Sequence, residues 1–288
     1  TQLKQNAGLG KVLFVDAFSG VAGDMLVAAL LDLGVPQVVF EEALKLLPLT
    51  GYSIEVQQVK KSSIAACRFI VNVEPAQPQR NYAEIQSMLH ASALADGVKS
   101  IALKAFNILA QAEARVHRMP IEKVHFHEVG AVDSIVDIVA AAVGLNWLGA
   151  RVISSPLPMG RGSVITQHGT LPLPAPATVE CLHNVPTYDA GIDAELVTPT
   201  GACLIAAVAE TFSRWPQMRP HSTGWGSGSM DLQDRPNLLR LVLGDDLSNN
   251  TVAQEQAGDI NSPFAVLEAN IDDMNPEIAA ARYLITPD

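Results

Sequence analysis

The 288-residue sequence predicts an α/β fold, with α+β as the alternative, in which a large N-terminal domain of mixed sheet and helices precedes the start of a second α+β domain. Three observations point there. A short apolar run from Lys11 to Phe18 breaks at Ser19 and Gly20 and gives way to helical spacing from Asp24, the strand, glycine loop and helix that open many α/β domains. Alternating and helical periods then succeed one another along the chain. Finally, 48% hydrophobic against 17% charged residues is enough to build a sizeable core.

The elements follow in order. Met25, Leu26, Ala29, Leu30 and Leu33 mark a helix stopped by Gly34 and Pro36, and a second helix is expected over 37–47, ended by Pro48. Ile54 and Val56, then Phe69, Val71 and Val73, alternate with polar residues around Lys60 to Ser63 and predict a β-hairpin. The Pro/Gln-rich joint from Glu74 to Arg80 should be exposed. Val98, Ile101, Ala105, Ile108, Ala112 and Val116 place a long amphipathic helix over 97–117, closed by Pro120. A further helix is expected over 132–148. The stretch 152–176 is too rich in Gly and Pro for regular helix. A short helix over 175–182, a strand at Glu195 to Val197, a helix over 200–212, a Gly/Ser/Pro-rich loop over 215–234 and a strand over 237–243 complete the domain.

Residues 1–247 therefore read as one domain, and the polar, aperiodic residues 248–262 as a linker. Phe264 to Ile271 suits a strand, and Asp273 and Pro276 begin a helix. One strand and one helix cannot form a core, so 263–288 read as the truncated beginning of a C-terminal domain.

Net charge is −11 with no basic run, which argues against nucleic acid as a partner. Cys67, Cys181 and Cys203 show no CxxC spacing, sit among apolar neighbours and read as buried reduced thiols, which suits a cytoplasmic protein. Thr1 to Lys11 holds no apolar signal core, and the longest apolar run, Ile138 to Leu148, is too short for a bilayer. No membrane is implied.

The strongest chemical signal is His125, His127 and Glu128, with Asp133 and Asp137 close behind. In an extended segment His125 and His127 project to one side and can converge on one ion. Imidazole suits nickel, zinc, copper or iron, and carboxylates supply charge and orientation. Asp133 and Asp137 lie one turn apart on a mostly apolar helix, a costly placement unless a cation pairs them. The alternative is a helix cap at Asp133, an ion pair at Asp137 and surface histidines.

Asp16 ends the first strand and Asp24 opens the next helix, at the strand ends where open α/β sheets bind ligands. Asp24 could equally cap its helix. The loop Ser19, Gly20 to Gly23 lacks the Gly-Lys-Ser/Thr ending of a P-loop. Arg161 and Gly162, with His168 and Gly169, lie where glycine lets backbone approach a ligand and an Arg fork can pair with phosphate. Thr198, Thr200 and Gly201 join a strand to a helix, fit for an anion or simply for an N-cap. Gly224, Gly226 and Gly228 suggest a lid, and Arg235 to Asn237 is a weaker candidate. No G-x-S-x-G elbow supports serine hydrolase chemistry.

Taken together, the stretches from Asp16 to Met25, His125 to Asp137, Ser155 to Gly162, His168 to Thr178 and Glu195 to Gly201 resemble, in order, the LarC family of nickel-pincer nucleotide biosynthesis. The likeness runs from Val12 to Leu243, and Leu267 to Glu277 is similar to the start of the family's C-terminal domain. It implies a nickel chelatase, a cyclometallase of the lyase class. Such an enzyme inserts Ni2+ into a pyridinium bis-thiocarboxylate mononucleotide, using CTP with Mg2+ or Mn2+, to make the cofactor of lactate racemase-type enzymes. By that resemblance His125, His127, Glu128, Asp133 and Asp137 are metal candidates, and His168, Asp24 and Asp16 are catalytic ones. Ser19, Gly20, Gly23, Arg161, Gly162, Thr198, Thr200 and Gly201 would hold substrate or cofactor, and the full-length protein would be a homo-oligomer. The family's C-terminal domain is associated with CTP, so this chain alone is expected to bind rather than turn over. A non-catalytic nickel carrier and a metal-dependent phosphohydrolase built on Asp16, Asp24, Asp133 and Asp137 are the competing readings.

Overall fold

A computed structural model describes residues 2–75, 77–78, 80–124, 126, 131–166 and 169–248. The readings placed on residues 249–288, the interdomain linker and second domain among them, fall outside the described residues.

The first strand, β1 (Lys11–Asp16), has four fully buried interior residues, because it lies inside a seven-stranded mixed sheet with neighbours on both edges. The remaining strands of that sheet are β2 (Tyr52–Lys61), β3 (Ile64–Val73), β4 (Arg151–Ser154), β9 (Thr211–Phe212), β10 (Met218–Ser227) and β11 (Leu238–Asp246). Their order is β2-β3-β10-β11-β1-β4-β9. β1 runs antiparallel to β11 and parallel to β4, so the fold is α/β with a mixed sheet. Two small sheets flank it. One pairs β5 (Leu157–Met159) with β8 (Thr187–Asp189), the other β6 (Ser163–Thr166) with β7 (Gly169–Pro172).

Helix α1 (Gly23–Leu33) is buried nearly all round, because β10, β3 and β11 lie on one side of it and a later helix, α5 (Val132–Leu148), on the other. It stops at Gly34, whose left-handed backbone (φ 118°) returns its N–H to the carbonyls of Leu30 and Leu31. α2 (Gln37–Leu44) follows. The hairpin β2–β3 turns at Ser62 and Ser63, both at positive φ. α4 (Asp96–His117) and α5 lie close to the expected bounds, and α5 is buried almost throughout. α6 (Pro176–Cys181) and α7 (Pro199–Val208) close the helical layer. All three cysteines are buried and unpaired. Burial pushes the thiol of Cys67 up to about 11 and that of Cys181 to about 12, so neither is a nucleophile at neutral pH. Among the described residues no helix is long and apolar enough to cross a membrane.

Four expectations need correction. Helix α3 (Tyr82–Ala91) lies where no separate helix was expected, although Asn81 and Glu84 exchange the reciprocal bonds of a capping box. Glu195 to Val197 is not a strand; only Val197 pairs, in a single bridge to Val21. The helix expected over 200–212 ends at Val208, and Thr211 and Phe212 pair with β4 instead. Most consequentially, 218–227 is no loop or lid but the ten-residue strand β10. Gly224 and Gly226 share one face of it, and that face touches the backbone of α1. A Cβ at Gly224 would sit 2.2 Å from the Ala29 carbonyl oxygen, and one at Gly226 would sit 1.9 Å from that of Met25. The alternating glycines let helix and strand approach to backbone contact.

Candidate functional site

The glycine loop after β1 is clasped from two sides. Ser19, fully buried, donates its hydroxyl to the Pro236 carbonyl (2.8 Å), and Arg235 donates to the carbonyl of Phe18 (3.3 Å). On the other side the Val21 N–H bonds the Leu196 carbonyl (2.9 Å), and the Thr198 N–H bonds that of Val21 (3.2 Å). Gly20 makes this clasp possible: at φ 108° it lies so near Leu196 that a Cβ would stand 1.9 Å from the carbonyl oxygen. Gly201 is pressed in the same way on the Val21 carbonyl.

The clasp delivers the start of α1 to the start of α7. Thr198 caps α7 by accepting from the Gly201 N–H (3.2 Å), while Thr200 accepts from the Gly23 N–H (3.3 Å) and shares a hydroxyl bond with Thr198 (2.9 Å). These threonines therefore serve helix ends, as the N-cap alternative anticipated.

Gly23 also rests against α5, where a Cβ would lie 2.8 Å from the Asp137 Cβ. This brings Asp24 and Asp137 together, with Asp133 one turn earlier. Neither Asp24 nor Asp133 caps its helix. The N-caps are Ala22 and Ala131, without side-chain bonds, and each aspartate accepts from the next backbone N–H, at Met25 and Ser134 (2.8 Å each). Asp133 is exposed, and Asp24 and Asp137 are half-buried as whole residues. Oδ1 of Asp137 nevertheless has no solvent contact and, among the described residues, no hydrogen-bond donor. The ion pair that would make Asp137 merely structural is absent among the described residues.

Electrostatics follow from this placement. Burial pushes the Asp24 carboxyl above its usual range, against the pull of the Met25 N–H and the Arg68 guanidinium. Asp137 is driven well above its usual range, first by burial, then by the charges of Asp24 and Asp133. A folded-state pKa above the unfolded one favours folding fully below about pH 4, and that contribution is lost as pH climbs through the folded value. The metal-free protein is therefore expected to lose stability from about pH 5 to about pH 7.5, and Asp137→Asn to flatten that loss. Thermal midpoints of both proteins at the two pH values check this; parallel slopes would contradict it.

Other predicted residues lie elsewhere. Asp16 is not part of the acid pair. Arg240 Nε bonds its Oδ2 at 2.9 Å, Nη2 adds a second bond, and the guanidinium stacks on Trp215 and Trp225 (5.3 and 5.4 Å). The two residues are register partners on β1 and β11, so this is a cross-strand clamp. Arg161 is exposed, with its Nε 3.7 Å from Asp189 and 3.9 Å from Asp193. Gly162 has open space around it and φ 102°. His125, His127, Glu128 and His168 lie outside the described residues. Phe126, between the two histidines, is fully buried against Tyr82 and Phe106. Among the described residues no three His, Cys, Asp or Glu side chains converge to hold a metal.

Sequence reasoning missed two features. Arg68, on β3, is close enough to Asp24 to draw its pKa down, and lone residues on a hairpin strand carry no signal of this. A groove of about 650 Å3 between residues 191–194 and 230–234 unites loops some forty positions apart.

A family model described as nickel insertion protein matches residues 13–284. The chain is similar to a protein of Geobacter metallireducens that carries nickel insertion in its name. The two are 49% identical over 271 residues, covering 93% of this chain and 67% of that protein. A like-named protein of Geotalea uraniireducens is 50% identical over 271 residues with the same coverage. One of Syntrophobacter fumaroxidans is 47% identical over 268 residues, covering 93% of this chain and 66% of that protein. No solved structure matches.

Proposed function

The chain belongs to the nickel insertion protein family, and from that premise we propose that its full-length form inserts Ni2+ into a pyridinium bis-thiocarboxylate mononucleotide. The product would be the nickel-pincer cofactor of lactate racemase-type enzymes. The observation that carries the reading is the Asp137 carboxylate, whose Oδ1 is buried beside Asp24 with no hydrogen-bond donor among the described residues. A carboxylate so placed is costly until a cation arrives, and an incoming metal ion supplies the missing charge.

In this reading Asp137 and Asp133 hold the nickel cargo with His125, His127 and Glu128, a borderline donor set that can release the ion again. Bonding of nickel to the ring carbon expels that carbon's proton. Asp24, its pKa raised by burial, accepts it, with His168 as the other candidate. The clasped loop at Ser19, Gly20 and Gly23, together with Thr198, Thr200 and Gly201, fixes Asp24 against Asp137 and so acts on substrate through position. CTP and its Mg2+ or Mn2+ enter through the resemblance, as do a cytoplasmic setting and a homo-oligomeric full-length protein.

The test is CTP consumption by the full-length protein. Loss of CTP is expected only when nickel and the thiocarboxylated nucleotide are both present, with one nickel-bound product formed per CTP. Nickel delivery with CTP intact would leave a carrier. Phosphate release from simple esters would indicate a phosphohydrolase.

A further inference from the structure

The seven-stranded sheet ends differently on its two sides. β9 is two residues long, whereas β2, at the other end, runs for ten. β2 pairs with β3 through ten consecutive positions without a bulge, and among the described residues no backbone hydrogen bond reaches its outer side. Shortness, a bulge or a proline would blunt such an edge, and β2 has none of the three. Its outward N–H and C=O groups are a template for another strand.

The side chains indicate which strand fits. Val56 and Gln58 line a cavity of about 280 Å3 together with Cys67 and with Asp32 of α1. The even-numbered residues of β2 therefore face that helix, and Glu55, Gln57, Val59 and Lys61 face the other way. The strand is acidic towards its start, at Glu55, and basic at its end, at Lys60 and Lys61, so it complements its own reverse. Two copies related by a twofold axis pair antiparallel with one residue opposite its counterpart, because facing side chains in such a ladder share a face. Centring on Gln58 sets Glu55 opposite the second copy's Lys61, and by symmetry Lys61 opposite Glu55. Centring on Val56 or Gln57 would set Glu55 opposite Gln57 or Val59, without a charge partner.

The other face agrees. In the register centred on Gln58, the second copy's Lys60 lies opposite Val56, beside the cavity that Asp32 lines. Asp32 accepts from the Trp225 N–H (2.8 Å) and from the Cys67 thiol at 3.8 Å, which leaves acceptor sites for an ammonium. Lys61 already contacts Asp231, an exposed carboxylate (86%), and its ammonium has donors left for Glu55. One register thus answers the charges on both faces.

We propose that β2 is a homodimer interface, joining two copies edge to edge in an antiparallel ladder centred on Gln58. The resemblance leads to an oligomer of the full-length protein without naming a surface. This assignment names one, residues 55–61, and it stands independently of the nickel reading.

The test is sedimentation velocity of the 288-residue chain over a concentration series. The parent is expected to pass from monomer to dimer. Glu55→Lys sets lysine opposite Lys61, and Lys61→Glu sets glutamate opposite Glu55, so each variant alone is expected to associate about tenfold more weakly or worse. An equimolar mixture of the two restores both opposite-charge pairs and is expected to dimerise like the parent, which requires that both variants be folded. A parent that stays monomeric overturns the proposal. So does association that survives both reversals, since it would run through another surface, and so does a mixture that fails to pair.

Discussion

Gly226→Ala is expected to destabilise the protein by about 3 kcal/mol or more. The added methyl would sit 1.9 Å from the Met25 carbonyl oxygen and 2.7 Å from the Ala29 amide nitrogen, both backbone atoms of a buried helix. Neither side can yield. Gly226 is held by β11 through its pairing with Leu239 and touches β3 at Cys67, so β10 cannot slide away without breaking the centre of the sheet. Gly162→Ala is the comparison, since a Cβ there meets nothing within 4 Å and its cost is only the positive φ, roughly 1–2 kcal/mol. Urea unfolding of both variants measures the difference. A Gly226→Ala protein within about 0.5 kcal/mol of the parent would refute backbone contact between α1 and β10.

The second large effect concerns metal. Replacing His125 and His127 together by alanine is expected to abolish nickel binding and leave the fold intact. The imidazoles are the strongest borderline donors proposed, and the carboxylates of Asp133 and Asp137 alone do not complete a site. Stability should survive because the packing in this stretch is carried by Phe126, buried between Tyr82 and Phe106. Calorimetric nickel titration and the thermal midpoint read the two claims separately. Unchanged affinity would remove the histidines from the site, and a collapsed midpoint would give them a structural role.

How much of this was legible beforehand depends on the range over which each signal acts. Helices α1, α4 and α5 and the hairpin β2–β3 are written in local periodicity, so their residue patterns suffice. β10 was not legible, because Gly224 and Gly226 are poor strand formers whose reason for being there is a helix some two hundred positions earlier. Tertiary contact overrode local propensity. The same division runs through the site. The cost of placing Asp133 and Asp137 on an apolar helix could be argued from spacing, but the meeting of Asp137 with Asp24 depends on Gly23 packing against α5. Asp16 shows the reverse: its place at a strand end suggested chemistry, and the cross-strand partner Arg240, 224 residues away, gives it a structural task.

That arginine also furnishes the molecule with an optical reporter. Two of the chain's three tryptophans, Trp215 and Trp225, flank one guanidinium, so their emission should be quenched together and released together when β1 and β11 part. Trp225 is moreover tethered by its backbone N–H to Asp32 near the far end of α1, 2.8 Å away. Light from this pair thus follows the helix that carries Asp24, without any label being attached.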